Sequence, residues 1–129
     1  MSEKSLILKA FNTHFFEFVD DILRLFPDNF DLLTTKQTFE IIKRANPTAI
    51  LKVWHAQVYK PYQTQIIDGN IDFFFEKDYG SDLGNVANQR EIMRVIDTLR
   101  MPIQNMDTAN KAHTMTYIQN LSKLSAMYY

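Results

Sequence analysis

The side chains of this chain that could do chemistry are three histidines, several grouped carboxylates and two stretches of opposite charge. His14, His55 and His113 are far apart in sequence. No pair has the i, i+4 spacing that presents two imidazoles to one ion, so only the fold could bring them together. His14 and His55 fall at the edges of apolar arcs and read as boundary histidines with one hydrogen bond each. There is no cysteine, which removes thiol nucleophiles, disulfides and cysteine-ligated zinc.

Asp78-Tyr79-Gly80-Ser81-Asp82 has the look of a calcium-loop opening. Its sixth position is Leu83 where a glycine is needed for the turn, and its twelfth is Gln89 where a bidentate glutamate is needed, so calcium is rejected. Glu17, Asp20 and Asp21 fall on the expected solvent face of the first helix. Asp68, Asp72 and Glu76 repeat at i+4 as a like-charge stripe, better suited to solvent or to a basic partner than to acid–base work. There is no Gly-x-Ser-x-Gly elbow. The three glycines, Gly69, Gly80 and Gly84, form no phosphate-cradling loop. No catalytic residue, metal ligand, cofactor or small-molecule substrate is therefore assigned, and an enzyme is not expected. The rival enzyme reading uses Asp20, Asp21 or Asp72 with a histidine delivered by folding.

Charge is nearly balanced overall, with 14 basic and 15 acidic side chains, unlike a dedicated phosphate-backbone binder. Locally it is not balanced. Lys36, Lys43, Arg44, Lys52 and Lys60 face only Glu40 across residues 36–60, whereas Asp68, Asp72, Glu76, Asp78 and Asp82 face only Lys77 across residues 68–82. The basic part reads as helix, Asn-Pro junction and helix, which makes nucleic-acid binding through those five cations the alternative function. Trp54, Tyr59 and Tyr62 offer stacking surface to that reading, although Trp54 falls on the inward arc with Ile50 and Val58. The complementary signs also suit an internal contact or association between copies.

The elements that must carry these groups are helices. Glycine is scarce outside one short stretch, and apolar residues recur at three and four. The first helix is expected from about Glu3 to Phe26, with Leu8, Phe11, Phe15, Phe18, Val19, Ile22 and Leu25 on one face. Phe16 and Leu23 widen that arc, which implies a central helix packed on more than one side. Pro27 ends it. Asp28 to Leu33 reads as loop, and Thr34 as an N-cap with Gln37 as its capping-box partner. Phe39, Ile41, Ile42 and Ala45 follow in the second helix. Asn46-Pro47 restarts a third, with Ile50, Leu51, Trp54 and Val58 inward, ending near Pro61.

Asp68-Gly69 between two apolar runs allows a short β-hairpin around 63–75. A helix ending at Gly69 followed by a short helix is preferred, because nothing else in the chain reads as a strand. Lys77 to Asn85 reads as loop. A fifth helix holds Ile92, Ile96 and Leu99, reaching Ile103 if Pro102 only kinks it. The last helix runs from about Thr108, with Tyr117, Leu121, Leu124 and Tyr128 at i, i+4, i+7 and i+11. The expectation is an all-α compact bundle of five or six helices, a single helical domain over residues 1–129.

Charge is sparse from Ile103 onward, where Asp107, Lys111 and Lys123 stand among many aromatics and methionines. That is the composition of an interface core, so Tyr117, Leu121, Leu124 and Tyr128 are expected partner contacts, joined by Phe74 from the aromatic segment Phe73 to Phe75, with a protein partner or a second copy on the other side. The equal alternative is that this helix covers the chain's own core. No run approaches the roughly 18 apolar residues of a membrane span. Met-Ser-Glu-Lys, with its charge and short apolar run, reads as no signal peptide, and an intracellular location is expected.

Phe15-Phe16-Glu17-Phe18-Val19-Asp20-Asp21-Ile22 followed by Phe26-Pro27-Asp28 resembles the opening of small uncharacterised helical proteins of large DNA viruses of algae and protists. Ala45-Asn46-Pro47, Lys77-Asp78-Tyr79 and Tyr117-Ile118-Gln119-Asn120-Leu121-Ser122-Lys123-Leu124 are similar to later parts of the same family. The likeness covers most of the chain. It implies no activity, cofactor or site residues, since the family has none assigned. It does imply a context: a viral protein of the host cytoplasm, and a minor capsid-associated component of the virion.

Overall fold

The computed structural model describes residues 3–75 and 89–129, and every regular element among them is helical. Helix α1 (Glu3–Leu25) buries Phe11, Phe15, Phe18, Val19 and Ile22 on one face. It packs against four neighbouring elements, α6 above all, which is the central position its wide apolar arc implies. Its last turn differs from expectation at Leu25, which is exposed. The Phe26 N–H is shared between the carbonyls of Ile22 and Leu23 at 3.1 Å each, and Pro27 has no N–H to continue the ladder.

Helix α2 (Phe30–Ala45) begins four residues before the expected Thr34 cap. Asn29 is the N-cap, its side chain accepting from the Leu32 N–H at 3.2 Å. The reason is the buried stripe of Leu32, Thr35, Phe39 and Ile42. Its helical spacing starts at Leu32, so the extra turn removes Leu32 from water as well.

Asn46 closes α2 by donating its N–H to the Ile42 carbonyl at 2.7 Å, and its side chain accepts from the Thr48 hydroxyl at 3.2 Å. Asn12 in the middle of α1 reaches this corner and donates to the Pro47 carbonyl at 3.0 Å. The third helix therefore does not restart at Asn46-Pro47: Thr48 is its N-cap, without a side-chain hydrogen bond, because Asn46 is already engaged in ending α2. Helix α3 (Ala49–Val53) then runs directly into a π-helical segment, Trp54–Tyr59. The Lys60 N–H donates to His55 five residues back at 3.0 Å. Ile50, Leu51, Trp54 and Val58 are buried as expected.

The hairpin does not form; helix α4 (Gln63–Ile67) stands there. Gly69 takes φ +73° just past its end. The N–H of Gly69 donates to Ile66 and that of Asn70 to Gln65, at 3.1 and 2.9 Å. These are the two bonds of a Schellman stop, so Asp68-Gly69 ends a helix instead of turning two strands. A lone hairpin would have no third strand to pair with. The helical turn instead buries Ile66 and presents its carbonyl to Gln119 of α6 at 2.9 Å. A 3-10 turn, Ile71–Phe75, follows. The expected loop at 77–85, the residues of the rejected calcium loop, the carboxylates Glu76, Asp78 and Asp82 and the side chains of Phe73 and Phe75 lie outside the described residues.

Helix α5 (Gln89–Gln104) carries Pro102 without breaking, and Ile92, Val95, Ile96, Leu99 and Ile103 are buried. Continuing through the proline keeps Ile103 in the core, which offsets the lost ladder bond. Helix α6 (Thr108–Tyr128) is capped by Asp107, whose carboxylate accepts from the Asn110 N–H at 2.8 Å. It runs antiparallel to α1, with Tyr128 beside Lys4, Tyr117 beside His14 and His113 beside Asp21. Residues from all six helices, the π segment and the 3-10 turn share one apolar core. No helix among the described residues is long and apolar enough to cross a membrane.

Candidate functional site

The antiparallel seam of α1 and α6 gathers His14, Glu17, Asp21, Arg24, His113 and Tyr117. Nearly one turn of α1 separates His14 from Glu17, and the His14 Nδ1 lies 3.3 Å from the Glu17 carboxylate. The other ring nitrogen of His14 is buried with no polar partner. The Tyr117 ring sits between two imidazoles, 4.7 Å from His14 and 5.3 Å from His113 between ring centres. Beyond it, Asp21 pairs with Arg24 one turn away, and the His113 Nε2 approaches its carboxylate at 3.4 Å.

The electrostatics of this cluster follow from its partners. Burial works to raise the Asp21 pKa, but the Tyr117 hydroxyl, the Arg24 charge and His113 outweigh it and hold the carboxyl below its ordinary value. Burial pushes the Tyr117 phenol up to about 12, helped by its hydrogen bond to Asp21. At neutral pH the carboxylate is thus ionised and the phenol protonated, an arrangement that clamps two helices. Folding does bring a histidine to Asp21, as the enzyme reading required. However, the cavity beside it is only about 30 Å³, room for a water or two and far below a small-molecule site of several hundred Å³. The hydroxyl of Thr114, which also lines that cavity, donates to the Met106 sulfur at 3.3 Å. Asp20 pairs instead with Lys36 at 2.8 Å, and Asp72 is exposed beside Asn70. No group of three His, Asp or Glu among the described residues is placed to hold a metal ion.

Toward the N-terminal half of α1 the same seam opens into a groove of about 690 Å³. Leu6, Ala10 and Leu124 supply its apolar surface, Thr13 and Asn120 its middle, and Lys9, Lys123 and Glu17 its charged margins. Leu6 is 54% exposed and Met127, one turn beyond Leu124, is 63% exposed. The groove is open along its length. A small molecule would remain mostly solvated there, whereas a protein surface would cover it.

The expected interface residues divide on this frame. Leu124 lines the groove and Tyr128 lies beside its end, where Lys4 stands 5.0 Å from the ring centre. Tyr117 is half-buried in the polar cluster. Leu121 is fully buried and Phe74 is 2% exposed. Both face this chain's own core, because the i, i+4, i+7, i+11 stripe straddles the boundary between core and surface. Only Tyr117, Leu124 and Tyr128 are therefore left to meet a partner directly. Sequence reasoning missed the α1 half of the groove. Its one signal was Leu6, an apolar residue off the buried arc of its helix.

The basic helices keep some of their charge occupied. Lys36 is paired with Asp20, whose carboxylate raises the lysine's pKa, and the Lys43 ammonium lies 5.1 Å from the Phe16 ring centre. Arg44 and Lys43 share a second surface groove with Glu40, and Lys52 and Lys60 stand on α3 and after the π segment. Trp54 is fully buried, its indole N–H donating to the Ser122 hydroxyl at 3.0 Å, so it offers no stacking face. His55 lies between Tyr59 and Tyr129, with ring centres at 5.5 and 4.2 Å. Burial, then the nearby Lys60 charge, lowers its pKa.

No family model, curated protein or solved structure matches the chain.

Proposed function

We propose that this chain is a non-enzymatic structural or adaptor protein that works through protein–protein contacts made at the α1–α6 seam. The observation that carries the reading is the open groove with apolar Leu6, Ala10 and Leu124 at its surface and Lys9, Lys123 and Glu17 at its margins. Apolar surface exposed together and rimmed by charge is the usual mark of a protein contact. The resemblance to small proteins of large DNA viruses extends the proposal to a place: the host cytoplasm during assembly, and then the virion as a minor capsid-associated component.

The test is affinity capture of the tagged chain from its native cells, after nuclease and at moderate salt, with wild type and Leu6→Glu side by side. Leu6 is already half in water, so the substitution adds charge at the groove without opening the core. A protein held in stoichiometric amount by wild type and lost from Leu6→Glu supports the reading. Capture unaffected by Leu6→Glu refutes the groove. Loss of everything on nuclease treatment points instead to Lys43, Arg44, Lys52 and Lys60 and to nucleic acid, whose binding weakens steeply with salt.

A further inference from the structure

The groove is polarised along its length. Lys9 on α1 and Lys123 on α6 stand at one end, with Lys4 close by over Tyr128, and Glu17 stands at the other. Neither Lys9 nor Lys123 has an ion pair among the described residues. Thr13 lies midway, four residues from Lys9 and four from Glu17, or about 6 Å of helix axis each way. The residues exposed near this midpoint, Ala10 and Thr13, are small, so a second helix can approach closely there.

From this arrangement we infer that the groove is occupied by a second copy of the same chain, paired about a two-fold axis through Thr13 with the two α1 helices antiparallel. A two-fold interface must be self-complementary, each patch meeting itself reversed. Reversal about Thr13 lays Lys9 of each copy against Glu17 of the other. It sets the basic end of each groove over the acidic end of its mate, with the small side chains of Ala10 and Thr13 at the crossing. A partner of uniform charge would satisfy one end and be repelled at the other. The inference rests on the groove being the contact surface, and it names what fills it.

The test is charge reversal on the purified chain, read by sedimentation equilibrium over a concentration series, with circular dichroism as the check on folding. Both positions are exposed, so Lys9→Glu and Glu17→Lys leave the helical signal unchanged. Wild type sediments as a monomer–dimer equilibrium. Each single variant turns both intermolecular pairs repulsive and weakens dimerisation roughly tenfold or more. Mixing the two variants in equal amounts restores the dimer, because position 9 of each then faces an opposite charge at position 17 of the other. The double variant Lys9→Glu with Glu17→Lys restores it by itself. A wild-type chain that stays monomeric throughout overturns the inference, as does a mixture no more associated than its components. A monomeric chain whose captured partner is still stripped by Leu6→Glu overturns the second copy as occupant while leaving the groove as the contact surface.

Discussion

Ser122→Ala removes one hydroxyl from the centre of the protein and tests how α6 is fastened to the rest. The Trp54 indole N–H crosses from the π segment to the Ser122 oxygen at 3.0 Å. Trp54 is 0% and Ser122 1% exposed, so water cannot replace the lost acceptor. The alanine variant leaves a buried donor unsatisfied, at a cost of about 1–3 kcal/mol. Unfolding entropy near 2.1 cal/mol/K per residue over 129 residues is about 0.27 kcal/mol/K, so a loss of about 1.5 kcal/mol lowers the melting temperature by about 5–6 °C. Thermal unfolding followed by far-ultraviolet circular dichroism and by fluorescence measures it. Trp54 is the single tryptophan, so its emission reports the surroundings of this one indole. In a double-mutant cycle, Ser122→Ala costs much less in a Trp54→Phe background, where no donor remains to be orphaned. A Ser122→Ala variant as stable as wild type, or costs that simply add in the cycle, would refute the bond as a fastening.

Leu121→Asp places a charge in a fully buried position and abolishes the cooperative thermal transition, in contrast to the exposed groove variants, which keep it. The Tyr117 phenol, raised from 10.0 to about 12 in the folded chain, contributes stability that is complete below pH 10 and is lost as the pH rises toward 12. Two units correspond to about 2.7 kcal/mol at full strength, and to about 1 kcal/mol for a half-exposed group screened by solvent. Urea midpoints measured across that window fall for wild type and fall less for Tyr117→Phe; parallel curves would dismiss the phenol as the cause.

Much of the fold was legible because helix periodicity is a local property. The buried faces of α1, of α3 with its π segment and of α5 are those the apolar spacing marked, since a residue three or four places on must share a face whatever the tertiary structure. Pro27 was legible for the same reason, as proline acts on its immediate neighbours. Asn46-Pro47 marked the junction but not its detail, because Asn46 is taken up in closing α2 and α3 starts only after Thr48. The Thr34 cap was misplaced because Asn29 and Thr34 are both competent caps, and only the burial of Leu32 chooses between them. Asp68-Gly69 suits a hairpin and a Schellman stop equally well. The pairing partners that would decide lie far away in sequence, and here Gln119 of α6 and the core take that part.

The candidate site was legible only on one side. Composition marked α6 as sparse in charge and rich in aromatics, but it could not separate Leu121, which faces the core, from Leu124, which faces the groove. A stripe at i, i+4, i+7 and i+11 drifts around a helix, and the neighbours decide where along it the core ends. The sequence by itself determined that the chain is helical, where most helices stop and which faces are apolar, because those depend on residues within a few turns of one another. The tertiary structure alone decided that α1 and α6 lie antiparallel. With that came the pairing of Asp21 with His113 and Tyr117, the donation from Trp54 to Ser122, and a groove basic at one end and acidic at the other. Those contacts join residues 68 to more than 100 positions apart, and no local preference encodes which distant surface a helix will meet.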